Sequence, residues 1–296
     1  ENFQVYGIDN INNYYDINLK KNRLKNLKLF NKFKFFKIDI TNEKKILNNF
    51  KKYKYDSVIN LAAQAGVRYS ISNPKAYFDS NIKGFFSIIE ACNYIKTKPL
   101  LFASTSSVYG NSKNFPLKET DHTSKPLTFY AASKKTNEVM AYSYSNIYKL
   151  PITALRFFTV YGPYGRPDMA LFKFTKAITE KDYLELYNNG NHYRDFTYID
   201  DVTQSIYKLI NKPSKKDIPF EVYNIASSKT IYLKKYLKTI EKFLQKKAKL
   251  KKLTLQQGDI KKTHASISKL ESKIGKIKIT KLEDGIGKFL SWYKNY

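Results

Sequence analysis

The sequence predicts an α/β fold: a doubly wound parallel sheet with a smaller C-terminal lobe. Three observations predict it. Short apolar runs alternate with helical stretches through the first half of the 296 residues, the pattern of βαβ units. Several of those runs close in acidic, small or hydroxyl residues, at the edge where such sheets bind ligands. After residue 158 the alternation becomes irregular, which marks a second lobe.

Phe3–Ile8 reads as the first strand, closing at Asp9. Asn10–Phe30 is a loop and a basic helix with Leu19, Leu24 and Leu27 inward. Phe33–Ile38 is a strand ending at Asp39 and Ile40, and Glu43–Tyr53 a short helix. Ser57–Leu61 is a buried strand leading into Ala62, Ala63, Gln64, Ala65 and Gly66, small residues that let a ligand approach the backbone. Pro74–Tyr94 is a long helix containing Ser80 and Asn81. Leu100–Ala103 is a strand running into the hydroxyl cluster Ser104–Ser107. Phe129–Tyr148 is a long helix and Ile152–Phe157 a strand. Beyond it, Tyr161–Pro167 is a turn-rich loop, and Leu171–Ile178 is helical. Arg194–Asp201 is a strand end entering a helix through Ile210, Val222–Ile225 a strand and Thr230–Leu244 a helix. Lys242–Lys252 reads as a solvated helix end and loop. Thr280–Tyr293 closes the chain as a helix with Ile286, Phe289 and Trp292 inward.

Composition narrows the class. No run of 18 apolar residues exists, so no membrane span is expected. The chain opens at Glu1 and enters a strand directly. The expectation is a cytoplasmic protein without a signal peptide, read from inside a longer chain. Cys92 is the single cysteine, which fits a reducing compartment. The net charge of +28 is an electrostatic footprint for an anionic partner or a compositional bias towards Lys. The charge is spread along the chain rather than gathered in a stripe, which favours the second, so no nucleic-acid partner is expected. The same bias singles out the five arginines, Arg23, Arg68, Arg156, Arg166 and Arg194. Where Lys is used almost everywhere, Arg marks positions that need a planar, bidentate donor.

The chemistry concentrates between Leu100 and Lys134. Tyr130 and Lys134 lie one helical turn apart on one face, downstream of the strand-end hydroxyls. A hydroxyl can hold a reacting group, a tyrosine can exchange a proton, and a lysine can lower that tyrosine's pKa from its usual ~10. The Tyr-x-x-x-Lys spacing alone says little. Tyr94/Lys98 and Tyr109/Lys113 share it, and the three together are no more than composition predicts. Asp9, closing an early strand, suits the ribose hydroxyls of a dinucleotide, or is an ordinary turn residue. A glycine-rich phosphate loop is expected some 20 residues before that Asp, ahead of residue 1. None of the 11 glycines forms one. His122, His192 and His264 have no metal-ligand spacing, and no metal is expected.

Several long segments carry a resemblance. STSSVYG at 104–110, YAASK at 130–134, RFFTVYGPYGRPDM at 156–169 and RDFTYIDDV at 194–202 resemble the extended short-chain dehydrogenase/reductase family. IDNINNYYDINLKKNRL at 8–24 and NLAAQAGVRYSISNP at 60–74 narrow the likeness to its UDP-glucuronate 4-epimerases. The resemblance implies a Rossmann-like NAD-binding domain over residues 1–157, with 194–225 contributing. Its first strand and glycine loop are missing. Residues 158–193 and 226–296 would form the lobe for a UDP-sugar. It also implies a homodimer packed through helices 74–94 and 129–148, and a product that feeds surface polysaccharide.

By that resemblance Tyr130 is the base toward the sugar 4-hydroxyl, Lys134 supports it and holds the nicotinamide ribose, and Thr105 positions the 4-oxygen. Asp9 meets the adenosine ribose, Asp39 and Ile40 the adenine. Leu61, Ala62 and Ala63 line the pyrophosphate side, which Asn81 supports. Arg194 meets the UDP diphosphate and Asp259 the uridine ribose. Arg166, Ser106 and Ser107 shape the end of the pocket for the C6 carboxylate, and Thr159 and Arg68 complete the substrate set. Arg68 is equally readable as a surface residue and Asp259 as a turn residue.

Related activities separate at the residues after Thr105. A 4,6-dehydratase needs an acid pair there, and a decarboxylase typically carries Glu at the position of Ser107. The resulting expectation is NAD-dependent conversion of UDP-glucuronate to UDP-galacturonate through a 4-keto intermediate. The alternatives are the same reaction on UDP-N-acetylglucosamine or its uronic acid, UDP-glucuronate decarboxylation, or a non-catalytic nucleotide- or RNA-binding relative. Asn60, Gln256 with Gln257, and Ser266 depart from the family pattern, which bears on substrate affinity. Residues 1–296 alone are expected to be inactive without the glycine loop.

Overall fold

The computed structural model describes residues 3–256 and 258–296. In chain order the first half runs β1 (Val5–Asp9), α1 (Ile17–Leu27), β2 (Phe33–Lys37), α2 (Glu43–Tyr53), β3 (Val58–Asn60), α3 (Tyr69–Ser72), α4 (Pro74–Tyr77), α5 (Gly84–Ile95), β4 (Leu100–Thr105), α6 (Phe129–Tyr148) and β5 (Ile152–Phe157). The second half runs β6 (Thr159–Tyr161), α7 (Ala170–Thr179), β7 (Tyr183–Tyr187), β8 (Tyr193–Tyr198), α8 (Ile199–Ile210), β9 (Phe220–Ile225), β10 (Thr230–Tyr232), α9 (Leu233–Leu244), β11 (Lys249–Leu253), α10 (Ser268–Ile274) and α11 (Leu282–Tyr293).

Strands β3, β4, β5 and β9 form a parallel sheet in that order. Its two faces follow from strand alternation. Leu100, Phe102, Ile152 and Ala154 face one way and pack with Ile46, Phe50, Ile88 and Ala141 of α2, α5 and α6. Leu101 and Leu155 face the other way and pack with Val202, Ile206 and Leu270 of α8 and α10. Strands β1 and β2 form a separate parallel pair, joined to the first of these cores through Ile8 and Ile38. The expected parallel sheet is thus present in two pieces, and Val5, Ile59 and Leu61 beside them are exposed. A third core gathers Tyr161, Phe172, Phe196, Tyr236, Ile286 and Phe289 from the C-terminal half, with Leu19 of α1 in it.

Several expectations are corrected. In α1 only Leu19 is buried, while Leu27 is 45% exposed. The helix expected over 74–94 is α4 and α5 joined by a π-helical turn at Phe78–Lys83, which carries Asn81. β8 pairs with β6 and β10 rather than with the main sheet. Thr230–Tyr232 is a strand, and α9 begins only at Leu233. Lys249–Leu253, read as loop, is a strand pairing in parallel with β7.

Candidate active site

The carboxyl ends of the strands open into one cleft. Asp9, Asp39, Ala62, Thr105 and Phe158 all line it, as do the loops of the C-terminal half. The cleft holds about 2060 Å³, beyond the roughly 300–1,000 Å³ of a single small-molecule site, so two ligands fit side by side.

The proton-handling group sits where β4 meets α6. Thr128 caps α6, accepting from the Ala131 amide at 3.3 Å, and the first turns then present Tyr130 and Lys134 to the end of β4. The Lys134 ammonium donates to the Ala103 carbonyl at 2.9 Å. The Tyr130 phenol faces the Thr105 hydroxyl, which acts to lower its pKa, and its ring packs edge-on against Tyr77 at 5.9 Å. The Thr105 hydroxyl also accepts from the Ser107 amide at 3.2 Å and reaches its hydroxyl at 3.3 Å. Burial raises the Tyr130 pKa, against the lowering effects of the Thr105 hydroxyl and the Arg166 charge. Burial also pushes Lys134 down to about 8. Arg166 thus adds its positive charge at the phenol. Lys134 is 4% exposed and occupied by a backbone carbonyl.

A second group lies in the C-terminal half. Arg68 pairs with Asp259 at 3.3 Å and stacks on Tyr187 at 4.3 Å. Arg194 donates to the Tyr193 and Lys261 carbonyls at 3.1 and 3.2 Å. Burial pushes its pKa down to about 10; Asp259 opposes that and Arg68 adds to it. Two guanidiniums on one wall offer planar donors suited to an anionic group. Arg166 is already engaged: its Nε and Nη2 donate to the two oxygens of Asp168, each at 2.9 Å.

All the expected site residues line this cleft except Asn81. Asn81 is 1% exposed and works behind the wall. It accepts from the Gln64 amide at 2.8 Å, and donates to the Gln64 carbonyl at 3.0 Å and to Ser133 at 2.9 Å. It thereby joins the Ala62–Gly66 loop to α6. Gly66 has φ +109°, and a Cβ there would sit 2.9 Å from the Tyr14 hydroxyl, so this approach requires glycine. Asp39 spends one carboxylate oxygen on its own turn, at Thr41, and the other on Asn10 after β1, at 2.7 Å. Ile40 is buried against Gly84. Of the departures, Asn60 is buried, Ser266 bonds Ser268, the Gln256 side-chain oxygen is buried without a partner, and Gln257 lies outside the described residues.

Sequence reading missed Asp168 and the knot around Arg23. Arg23 donates to the Tyr15 hydroxyl at 2.6 Å and to the Tyr164 carbonyl, and Asn26 donates to the Tyr164 hydroxyl. This ties α1 to the loop that carries Arg166. The rarity of arginine was the signal for Arg23. Its partner, 141 residues away, was not visible. Among the described residues no group of His, Cys, Asp and Glu could hold a metal ion, and no helix is long and apolar enough to cross a membrane.

The model of the NAD dependent epimerase/dehydratase family matches residues 2–226. The chain belongs to that family. Protein CapI of Staphylococcus aureus is 44% identical to it, over 99% of this chain and 91% of that protein. A probable UDP-glucuronate 4-epimerase of Rhizobium meliloti is 40% identical over 99% of this chain and 90% of its own. Among solved structures, UDP-glucuronic acid 4-epimerase from Bacillus cereus, in complex with UDP-glucuronic acid and NAD, superposes with a TM-score of 0.92. It has 32% identity and covers 99% of this chain and 91% of that one. This epimerase-family fold is the α/β architecture expected from the strand–helix alternation.

Proposed function

We propose that this protein is an NAD-dependent UDP-sugar 4-epimerase that interconverts UDP-glucuronate and UDP-galacturonate. The observation that carries the reading is the hydroxyl-lined wall at the end of β4. Thr105 faces Tyr130 there, and Ser106 and Ser107 follow it where elimination or decarboxylation would call for acids. The similarity to UDP-glucuronate 4-epimerases supports the substrate.

The residues present fit a dinucleotide. Asp9 exposes its carboxylate at the end of β1, Ala62 and Ala63 leave the backbone open to close approach, and Lys134 sits at the cleft floor. Bound there, NAD supplies a reversible hydride acceptor. Tyr130 takes the proton of the sugar 4-hydroxyl and later returns it. Thr105 holds the 4-oxygen at the phenol, and Lys134 binds the nicotinamide ribose and adds positive charge beneath it. Ser106, Ser107 and Thr159 receive the C6 carboxylate with neutral hydroxyls, so nothing protonates a leaving group at C6. Arg194 and Arg68 hold the diphosphate, and Asp259 the uridine ribose. Arg166 supplies positive charge near the carboxylate while Asp168 holds its fork. Asp39, Ile40 and Leu61 border the adenosine end, and Asn81 braces the loop between.

We assign residues 1–157, with 194–225 contributing, to the cofactor domain, and 158–193 with 226–296 to the substrate lobe. A homodimer through α5 and α6 would cover Phe86, Val139 and Tyr142, which are 39–59% exposed.

The test is incubation of the full-length protein with UDP-glucuronate and NAD, followed by chromatography. The expected product is UDP-galacturonate without accumulation of NADH. A UDP-pentose would replace this reading with decarboxylation, and absence of any conversion would refute it.

A further inference from the structure

Behind the proton-handling group lies a buried charged pair that the chemistry above does not use. Arg156 on β5 and Glu138 on α6 are each 3% exposed. The Arg156 Nε donates to Glu138 Oε1 and its Nη2 to Oε2, both at 2.9 Å. Glu138 Oε1 also accepts from the Ser104 hydroxyl at 2.7 Å, and Oε2 faces Lys135 at 3.3 Å. Burial works against the Glu138 carboxylate, yet the hydrogen bonds and charge of Arg156, with Ser104 and Lys135, hold its pKa below the usual range. The pair is therefore ionised.

Its place in the chain matters more than its strength. Tyr130, Lys134 and Glu138 are successive i,i+4 positions, one stripe along α6. Ala103, Ser104 and Thr105 are consecutive on β4. The two sets meet at three points, though not in strict order along the strand: Thr105 faces Tyr130, the Ala103 carbonyl accepts from Lys134, and Ser104 donates to Glu138. The first two contacts belong to the reaction. The third is clamped by a planar fork from the neighbouring strand. A buried ion pair is a poor way to gain stability, because well-packed apolar residues do as well or better. What a fork provides instead is a fixed direction and distance. Arg156 is itself held, its Nη1 on the Glu119 carbonyl at 3.2 Å and its guanidinium 4.8 Å from the Tyr109 ring.

We propose that Glu138 and Arg156 are positioning residues for the epimerisation: they lock the register of α6 against β4 and so hold the Tyr130 phenol at the Thr105 hydroxyl. This rests on the epimerase reading above. Loss of the clamp lets α6 shift, and a displacement of about 1 Å at the reacting groups costs on the order of a hundredfold in rate. The ligand-binding wall formed by Arg68, Arg194 and Asp259 does not touch the clamp, so substrate affinity is unaffected.

The test compares full-length wild type, Glu138→Gln and the double variant Glu138→Met/Arg156→Met. The double variant leaves no unpaired buried charge, so it keeps its fold where the single variant fails to. Expected for the double variant is a kcat lowered by about 30-fold, within the range of a sub-ångström displacement. KM for UDP-glucuronate stays within about threefold, and the alkaline end of the kcat–pH profile, set by Tyr130, moves upward as the phenol loses the lowering effect of Thr105. A folded double variant with wild-type kcat and pH profile overturns the inference and leaves the epimerase reading intact. Failure of both variants to fold also overturns it, because the pair is then a stability element. An inactive wild type refutes the epimerase reading and this inference together.

Discussion

Lys134→Met is expected to make the unliganded protein more stable while abolishing its turnover. Lys134 is 4% exposed, and burial moves its pKa from 10.5 to about 8. At 1.36 kcal/mol per pH unit, holding that ammonium charged inside the protein at pH 7 costs about 3 kcal/mol. Its hydrogen bond to the Ala103 carbonyl returns about 1 kcal/mol. Methionine has similar length and no charge to desolvate, so the substitution gains roughly 2 kcal/mol at pH 7. The sign follows from proton counts. Between pH 8 and 10.5 the unfolded chain binds the Lys134 proton and the folded protein does not, so wild-type stability rises with pH across that window. The advantage of Lys134→Met must shrink accordingly. Urea unfolding of ligand-free wild type and variant at pH 7 and pH 9.5 measures this, alongside epimerase activity. A variant less stable than wild type at pH 7, or an advantage that does not shrink by pH 9.5, refutes the account of a buried, strained cation.

Two further expectations concern turnover. Activity requires Tyr130 deprotonated and Lys134 protonated, and the Tyr130 pKa is raised by burial while that of Lys134 is about 8. The kcat of the full-length protein should therefore rise with pH up to about pH 8, level off above it and fall only beyond the raised Tyr130 pKa, and Tyr130→Phe should lose at least about a thousandfold of kcat while UDP-sugar binding, read by calorimetry, persists. At the diphosphate wall Arg194→Ala should raise KM by about 30-fold, whereas the exposed, Asp259-paired Arg68 should cost about threefold on Arg68→Ala; steady-state kinetics separates the two, and equal effects would contradict the assignment.

Much of the cleft was legible in the sequence because it is built from local patterns. A strand that ends in hydroxyls, a Thr-capped helix with Tyr and Lys one turn apart, and small residues after a buried strand are all read within a few positions. Asp9, Thr105 and Tyr130 accordingly reach the same cleft. The misreadings arose where pairing overrides composition. KLKKL at 249–253 has the make-up of a solvated loop, yet it is a strand because β7 offers it a parallel edge. Asn81 was expected to support the pyrophosphate side, but the π-helical turn that aims it at Gln64 and Ser133 was not visible in the sequence.

The sequence by itself determined the fold class, the strands β1 to β5 of the first half and the position of the proton-handling group, since periodicity and capping act over one or two turns. Only the tertiary structure decided what each charge faces. Asp168 fills the fork of Arg166, Arg23 reaches across to Tyr164, Glu138 receives Arg156, and Arg166 acts on Tyr130. Arg23 and Tyr164, Glu138 and Arg156, and Tyr130 and Arg166 come from different elements, so their distances are set by packing. Asp168 lies only two residues from Arg166, yet the direction of that fork is set by the loop that Arg23 ties down. Burial then decides how strongly each of these charges counts.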